Sequence, residues 1–163
     1  MLQQIGFGGG CHWCTEAVFQ HLKGVHLVKQ GWIANRAEQA TFSEAVLVDY
    51  DPAIIPLSVL VEAHLITHSS TSLHGMRKKY RSAVYVLDSC QKMSVREIIK
   101  HLQPKFDKPL IVQTLDFGGF RDNEEHFKNY YLNKPEAPFC GQYIQPKLAL
   151  LQERLGEYFS PPL

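Results

Sequence analysis

The sequence predicts an α+β or α/β chain, a sandwich in which one sheet is covered by helices. Two observations carry this: short β-type runs and helix-period runs interleave along the whole chain, and glycine or proline punctuates their ends. With 163 residues, 45% apolar and 20% charged, the chain can bury one sizeable core, and 1–163 reads as a single domain without repeat or linker.

Each element has its own warrant. Gln4 to Gly8 reads as a short buried strand ending in glycines, and Cys11 to Leu22 as a helix stopped by Gly24, with Cys14, Val18 and Leu22 on one stripe. Val25 to Ile33 and Glu44 to Tyr50 read as strands; the second alternates Ala45, Leu47 and Asp49 against Val46, Val48 and Tyr50 until Asp51-Pro52 ends it. Pro56 to Thr67 is helical, with proline in the first turn and Leu57, Leu60, Val61 and Leu65 on one face. Ser69 to Lys79 is a polar loop, Ala83 to Leu87 a strand, Met93 to Leu102 a helix and Leu110 to Leu115 a strand. Two helices, Asn123 to Leu132 and Ile144 to Tyr158, then flank a loop from Pro135 to Gly141.

The bulk numbers exclude several functions. A net charge of +1 gives no field toward nucleic acid or an anionic membrane, and Arg77, Lys78, Lys79 and Arg81 read as a solvated face. The start lacks a basic stretch followed by a long apolar segment, and no eighteen apolar residues run together, so a soluble cytoplasmic protein is expected. Four cysteines (Cys11, Cys14, Cys90 and Cys140) are too sparse for a disulfide-stapled scaffold, which points to catalytic or metal-binding use.

The chemistry concentrates at GFGGGCHWCTEAVF, residues 6–19. Unpaired N–H groups and the aligned peptide dipoles at a helix start stabilise a thiolate, and glycines permit a tight turn and close approach of substrate. Cys11 is therefore the nucleophile candidate, against the alternative of an unreactive structural cysteine. A dinucleotide fingerprint fails because it needs glycine where Cys11 stands, and no GK[ST] loop exists. A zinc knuckle on Cys11 and Cys14 lacks a second ligand pair at comparable spacing, so no metal is expected. Cys14 has two open readings: a redox partner on the neighbouring helical position, or a small apolar member of the buried stripe.

GGGCHWCTEAVF resembles the GCFWC-type active-site segment of the A-class peptide methionine sulfoxide reductases. LKGV, SEAVLVDYDP, KYRSAVY, EEHFKNYYLNKPEAPFC and YIQPKL resemble later segments of that family in the same order. The resemblance implies a two-layer α/β sandwich, its mixed sheet covered by helices, with a ferredoxin-like core, and a cofactor-free enzyme that reduces methionine S-sulfoxide, free or in proteins. It implies Glu44 as the proton donor for the departing oxygen, where apolar neighbours such as Val46 and Trp32 favour a protonated carboxyl. Without it, Glu44 reads as an exposed strand carboxylate. It implies Tyr80 as a donor to the sulfoxide oxygen and Trp13 as part of the methyl pocket, residues that otherwise read as a strand tyrosine and a core tryptophan. A sulfenic acid on Cys11 would condense with Cys14 or with Cys140, and an external dithiol, thioredoxin in this family, would reopen the disulfide. Cys90 has no role in the resemblance.

The departures bear on substrate. His12 stands where phenylalanine completes the methyl pocket, so phenylalanine there should raise turnover if His12 is a pocket wall. Trp32 stands for a tyrosine that donates to the oxygen, and HSSTSLHGMRKKY is shorter than its counterpart. Two other readings follow: a relative retuned for another oxidised sulfur compound, or a general dithiol–disulfide oxidoreductase using Cys11 and Cys14. A binding module for oxidised methionine without turnover is the non-enzymatic reading.

Overall fold

A computed structural model describes residues 1–72 and 80–161, with only the backbone of 38–40. The loop residues 73–79, including His74 and the Arg77-Lys78-Lys79 cluster, lie outside the described residues.

The elements are β1 (Gln3–Gly8), α1 (His12–Gln20), β2 (Val25–Asn35), β3 (Glu38–Tyr50), α2 (Leu57–Thr67), β4 (Ala83–Val86), α3 (Ser89–Leu102), β5 (Gln113–Asp122), α4 (Tyr130–Asn133) and α5 (Gln145–Leu155). The sheet is mixed, with β4 and β5 parallel and the other pairs antiparallel. It is not the open sheet of a two-layer sandwich with a ferredoxin-like core: the order β1-β3-β2-β5-β4 closes, because β4 also pairs with β1. The sequence of β1 explains the closure. Its Ile5 and Phe7 face the helices, and the alternate positions are Gly6 and Gly8. A Cβ on Gly6 would stand 2.7 Å from Ile33 Cδ1, so the barrel interior is narrow and already filled by Ile33, Ala45, Leu47, Ala83 and Tyr85. The larger core lies outside the barrel, where Phe7 stacks on Phe19 of α1 at 4.4 Å and α2, α3 and α5 add Leu60, Val61, Val95 and Leu151. Burying each such ring or branched chain contributes roughly 1.5–3 kcal/mol.

Several boundaries move for identifiable reasons. β3 begins at residue 38 because its first half pairs with β2, and β5 runs through Phe117-Gly118-Gly119-Phe120 to Asp122 by pairing antiparallel with β2. The helix expected over Asn123 to Leu132 is a 3-10 turn, Glu125–Phe127, followed by the single turn α4, because Asn129 adopts a left-handed conformation (φ 54°) between them. The loop expected to carry Cys140 is instead a π-type turn, Cys140–Ile144, running directly into α5, with Cys140 fully buried. α3 starts at Ser89 because the Asp88 carboxylate caps it, accepting from the Gln91 N–H at 2.7 Å.

Candidate functional site

Cys11 occupies the N-cap position of α1, directly after the glycine turn that leaves β1. The turn fits against α2: a Cβ on Gly9 would come within 2.5 Å of the His68 ring, so only glycine passes there. The Cys11 carbonyl accepts the N–H groups of Cys14 and Thr15 and the Thr15 hydroxyl, which fixes the sulfur at the mouth of the helix.

The Cys11 thiol is shifted below its ordinary range. The largest cause is a hydrogen bond from the Cys14 thiol, and the backbone N–H groups of Trp13 and Cys14 add to it; burial and the Glu44 carboxylate oppose it. Cys14 is shifted strongly upward by that donation, by burial and by charge on Cys11. The two shifts run in opposite directions, so within the pair Cys11 is the sulfur favoured as the anion and Cys14 the one favoured to hold the proton. Sequence reasoning placed the two thiols on neighbouring helical positions but assigned the stabilisation of the thiolate to the helix start alone.

Cys140 shares a buried cluster with Cys14. Cys14, Ala17, Cys140, Ile144 and Leu148 form one buried cluster, with Cys11 packed at its edge. The Cys140 thiol donates to the Lys134 carbonyl at 3.1 Å, and burial raises it above the ordinary thiol range. Cys90 is exposed at the start of α3, well separated in the chain from this cluster.

A cavity of about 280 Å³ opens at Cys11. Its walls are Gly10, Cys11, Cys14, Thr15, Val18, His64, Thr67, His68, Tyr80, Phe139, Tyr143 and Lys147. A larger groove of about 590 Å³ along Val25 to Lys29 has no cysteine in its lining, so size does not select the site. Arg81 explains how Tyr80 reaches the cavity: its guanidinium donates to the Tyr85 hydroxyl (3.0 Å) and to the carbonyls of Ile33 and Thr41 (both 3.1 Å), pinning this segment to β2 and β3. Phe139, Tyr143, His64, His68 and Lys147 were not singled out from the sequence. The available signal was LVEAHLITH, which puts two histidines four apart on an otherwise apolar helix. Their rings stack at 4.1 Å, and burial pushes His64 well below the ordinary imidazole range, leaving it neutral.

Glu44, His12 and Trp32 form a second group beside Cys11, and none of them lines that cavity. The Glu44 carboxylate accepts the His12 N–H, the first of α1, at 3.2 Å. Trp32 is the register partner of Glu44 on β2 and meets the His12 ring edge-on at 5.2 Å. Trp13 is also outside the cavity lining: it stacks on Tyr130 at 4.1 Å and meets Phe139 edge-on at 5.5 Å. Among the described residues no group of three or more His, Cys, Asp or Glu is arranged to hold a metal, and no helix is long and apolar enough to cross a membrane.

A thiol made nucleophilic by a second thiol, in a cavity walled by aromatic rings beside a buried carboxyl, suits attack on an oxidised sulfur. The sequence profile described as peptide methionine sulfoxide reductase matches residues 3–157. The chain belongs to the peptide methionine sulfoxide reductase family. The family relative from a Nitratiruptor species is 32% identical over 94% of this chain and 96% of its own length. That from Deinococcus radiodurans is 34% identical over 95% of this chain and 83% of its own. The fold is shared with reduced Mxr1 from Saccharomyces cerevisiae, with a TM-score of 0.73 at 20% identity over 87% of this chain and 91% of that one. Mxr1 has also been solved in complex with Trx2, and that structure matches with a TM-score of 0.60 at 19% identity over 76% of this chain and 82% of that one.

Proposed function

We propose that the protein reduces methionine S-sulfoxide, free or peptide-bound, with Cys11 as nucleophile, Glu44 as proton donor and Cys14 as the first resolving thiol. The observation that carries this reading is the placement of Cys11 at the N-cap of α1, lining one cavity together with Cys14 and Tyr80. The Cys11 thiolate attacks the sulfoxide sulfur, and the oxygen takes the proton of the Glu44 carboxyl while Tyr80 donates a hydrogen bond to it. The sulfur–oxygen bond breaks, methionine leaves, and Cys11 carries the hydroxyl as a sulfenic acid. Two electrons have passed from Cys11 to the substrate sulfur. A protonated Glu44 also removes the negative charge that opposes the Cys11 anion, so the acid and the nucleophile are compatible in one site.

Cys14 then displaces the hydroxyl as water and forms a disulfide with Cys11. Cys140 can take over the bond by attacking Cys14, its neighbour in the buried cluster, which returns Cys11 to the thiol state. Phe139 and Tyr143 supply the apolar wall for the methyl group, with Trp13 edge-on behind Phe139. Electrons come from an external dithiol without a bound cofactor; a thioredoxin is the reading the resemblance supports, and the sparse cysteines fit a cytoplasmic protein.

Intact-mass spectrometry after a single turnover with methionine S-sulfoxide, without reductant, tests this. Wild type and Cys140→Ser should each end with one new disulfide, whereas Cys14→Ser should hold an added oxygen on Cys11. A disulfide in Cys14→Ser together with an added oxygen in Cys140→Ser would make Cys140 the first resolver. Methionine produced with no change in protein mass would overturn the thiol mechanism.

A further inference from the structure

We propose that His12 is a positioning residue that supplies the proton Glu44 delivers, so that the acid of this site is an imidazole–carboxyl pair; this rests on the reading of Glu44 as donor. His12 is 7% exposed, and its two ring nitrogens have different partners. Nδ1 lies 2.9 Å from the Gly31 carbonyl oxygen. A carbonyl only accepts, so Nδ1 keeps its hydrogen in every protonation state, and Nε2 is the nitrogen that gains and loses a proton. The Gly31 carbonyl is fixed because β2 and β5 approach so closely there that a Cβ on Gly31 would stand 2.1 Å from the Arg121 carbonyl oxygen.

Nε2 faces two groups, Glu44 Oε1 at 3.5 Å and Asn123 Nδ2 at 3.5 Å. The Asn123 amide already donates to Gln30 Oε1 at 2.6 Å, and Gln30 donates to Glu16 Oε1 at 3.0 Å. This leaves the second amide hydrogen of Asn123 for Nε2. Neutral His12 is therefore satisfied as an acceptor from Asn123, and protonated His12 is satisfied as a donor to Glu44. Both distances are at the long edge of hydrogen bonding, as apo catalytic contacts often are, and a small ring rotation shortens either one.

The charged and titratable groups around the ring fit this assignment. β3 presents Glu44; α1 presents Cys11 before His12 and Glu16 one turn after it, and Glu16 is engaged by Gln30 and by the N–H groups of Asn129 and Tyr130. From β5, Arg121 places its guanidinium 4.4 Å over the Phe42 ring and Asp122 pairs with Lys128 at 2.8 Å, so both charges are engaged elsewhere. In the step itself no electrons move. The pair's one proton passes from Nε2 to the Glu44 carboxylate and from there to the sulfoxide oxygen, leaving Glu44 a carboxylate and His12 neutral with Nδ1–H still on Gly31; solvent then restores the proton. Free imidazole is more basic than free carboxyl by about two pH units, so the pair retains its one proton to higher pH than a lone carboxyl can.

The test is the pH dependence of Cys11 oxidation by methionine S-sulfoxide, followed in single turnovers of wild type, His12→Phe, His12→Gln and Glu44→Gln. The position of the alkaline falling limb does not depend on how much of a variant is folded. Both His12 variants should move that limb to lower pH by about one unit or more, which is about a tenfold loss at a fixed alkaline pH. An unmoved limb in either variant, or faster turnover of His12→Phe at every pH as a mere pocket wall requires, would overturn the proposal. If Glu44→Gln keeps the full rate, the donor reading itself is lost; if Glu44→Gln is slow and the His12 variants keep the wild-type limb, only the role of His12 is lost.

Discussion

Cys11→Ser abolishes sulfoxide reduction, with turnover falling by about 10⁴-fold or more. The substitution exchanges sulfur for oxygen at nearly constant size at the N-cap of α1, and serine is itself a good N-cap, so the helix and the barrel survive it. What disappears is the nucleophile. A serine hydroxyl is a far weaker acid than a thiol, and neither a hydrogen bond from Cys14 nor the N–H groups of Trp13 and Cys14 can make it an anion near neutral pH. It also has no accessible higher oxidation state, so it cannot accept the oxygen and pass it on as water. Loss of methionine production with a retained thermal unfolding transition confirms the assignment. Turnover near the wild-type rate would remove Cys11 from the reaction.

Glu44→Gln slows the oxidation of Cys11 by about 10²–10⁴-fold, the usual contribution of a positioned general acid. Glutamine preserves the shape and can still accept the first N–H of α1 through its amide oxygen, which Glu44 accepts at 3.2 Å. It has no acidic proton, so the oxygen must leave unprotonated or wait for water. The variant also separates two effects of the carboxyl. At a pH where Glu44 has given up its proton its charge opposes the Cys11 thiolate, so there Glu44→Gln should make Cys11 alkylate more readily while sulfoxide reduction is slow. A simple structural defect would slow both.

The sequence made the chemistry at α1 legible because its ingredients are local. Three glycines, a cysteine and a helix start within fourteen residues need no tertiary knowledge to be read together. The order of strands and helices was legible for the same reason: periodicity is local. Closure of the sheet was not, since it depends on Gly6 meeting Ile33 and Tyr85, contacts between residues far apart in the chain. The left-handed Asn129 inside an apparent helix, and the buried π-type turn that carries Cys140 in place of a loop, likewise answer to tertiary packing. At the site, the resemblance implied Glu44 and Tyr80 but could not supply His12 as a partner of Glu44, because His12 stands where the resembling segment has phenylalanine. It also implied Trp13 as part of the methyl pocket; Phe139 and Tyr143, which the sequence did not single out, line the cavity beside Tyr80, and Trp13 packs against Phe139.

The central claim is that Cys11 is more acidic than an ordinary thiol chiefly because the Cys14 thiol donates to it. Its most direct test is the pH dependence of alkylation of Cys11 by iodoacetamide, resolved by peptide mass from exposed Cys90, in wild type and in Cys14→Ala. Wild-type Cys11 should react with a midpoint below the usual thiol value of about 8.5, and the midpoint should rise in Cys14→Ala, with roughly tenfold less thiolate at neutral pH for each unit of rise. A wild-type midpoint in the ordinary thiol range, or one that Cys14→Ala leaves in place, would contradict the account.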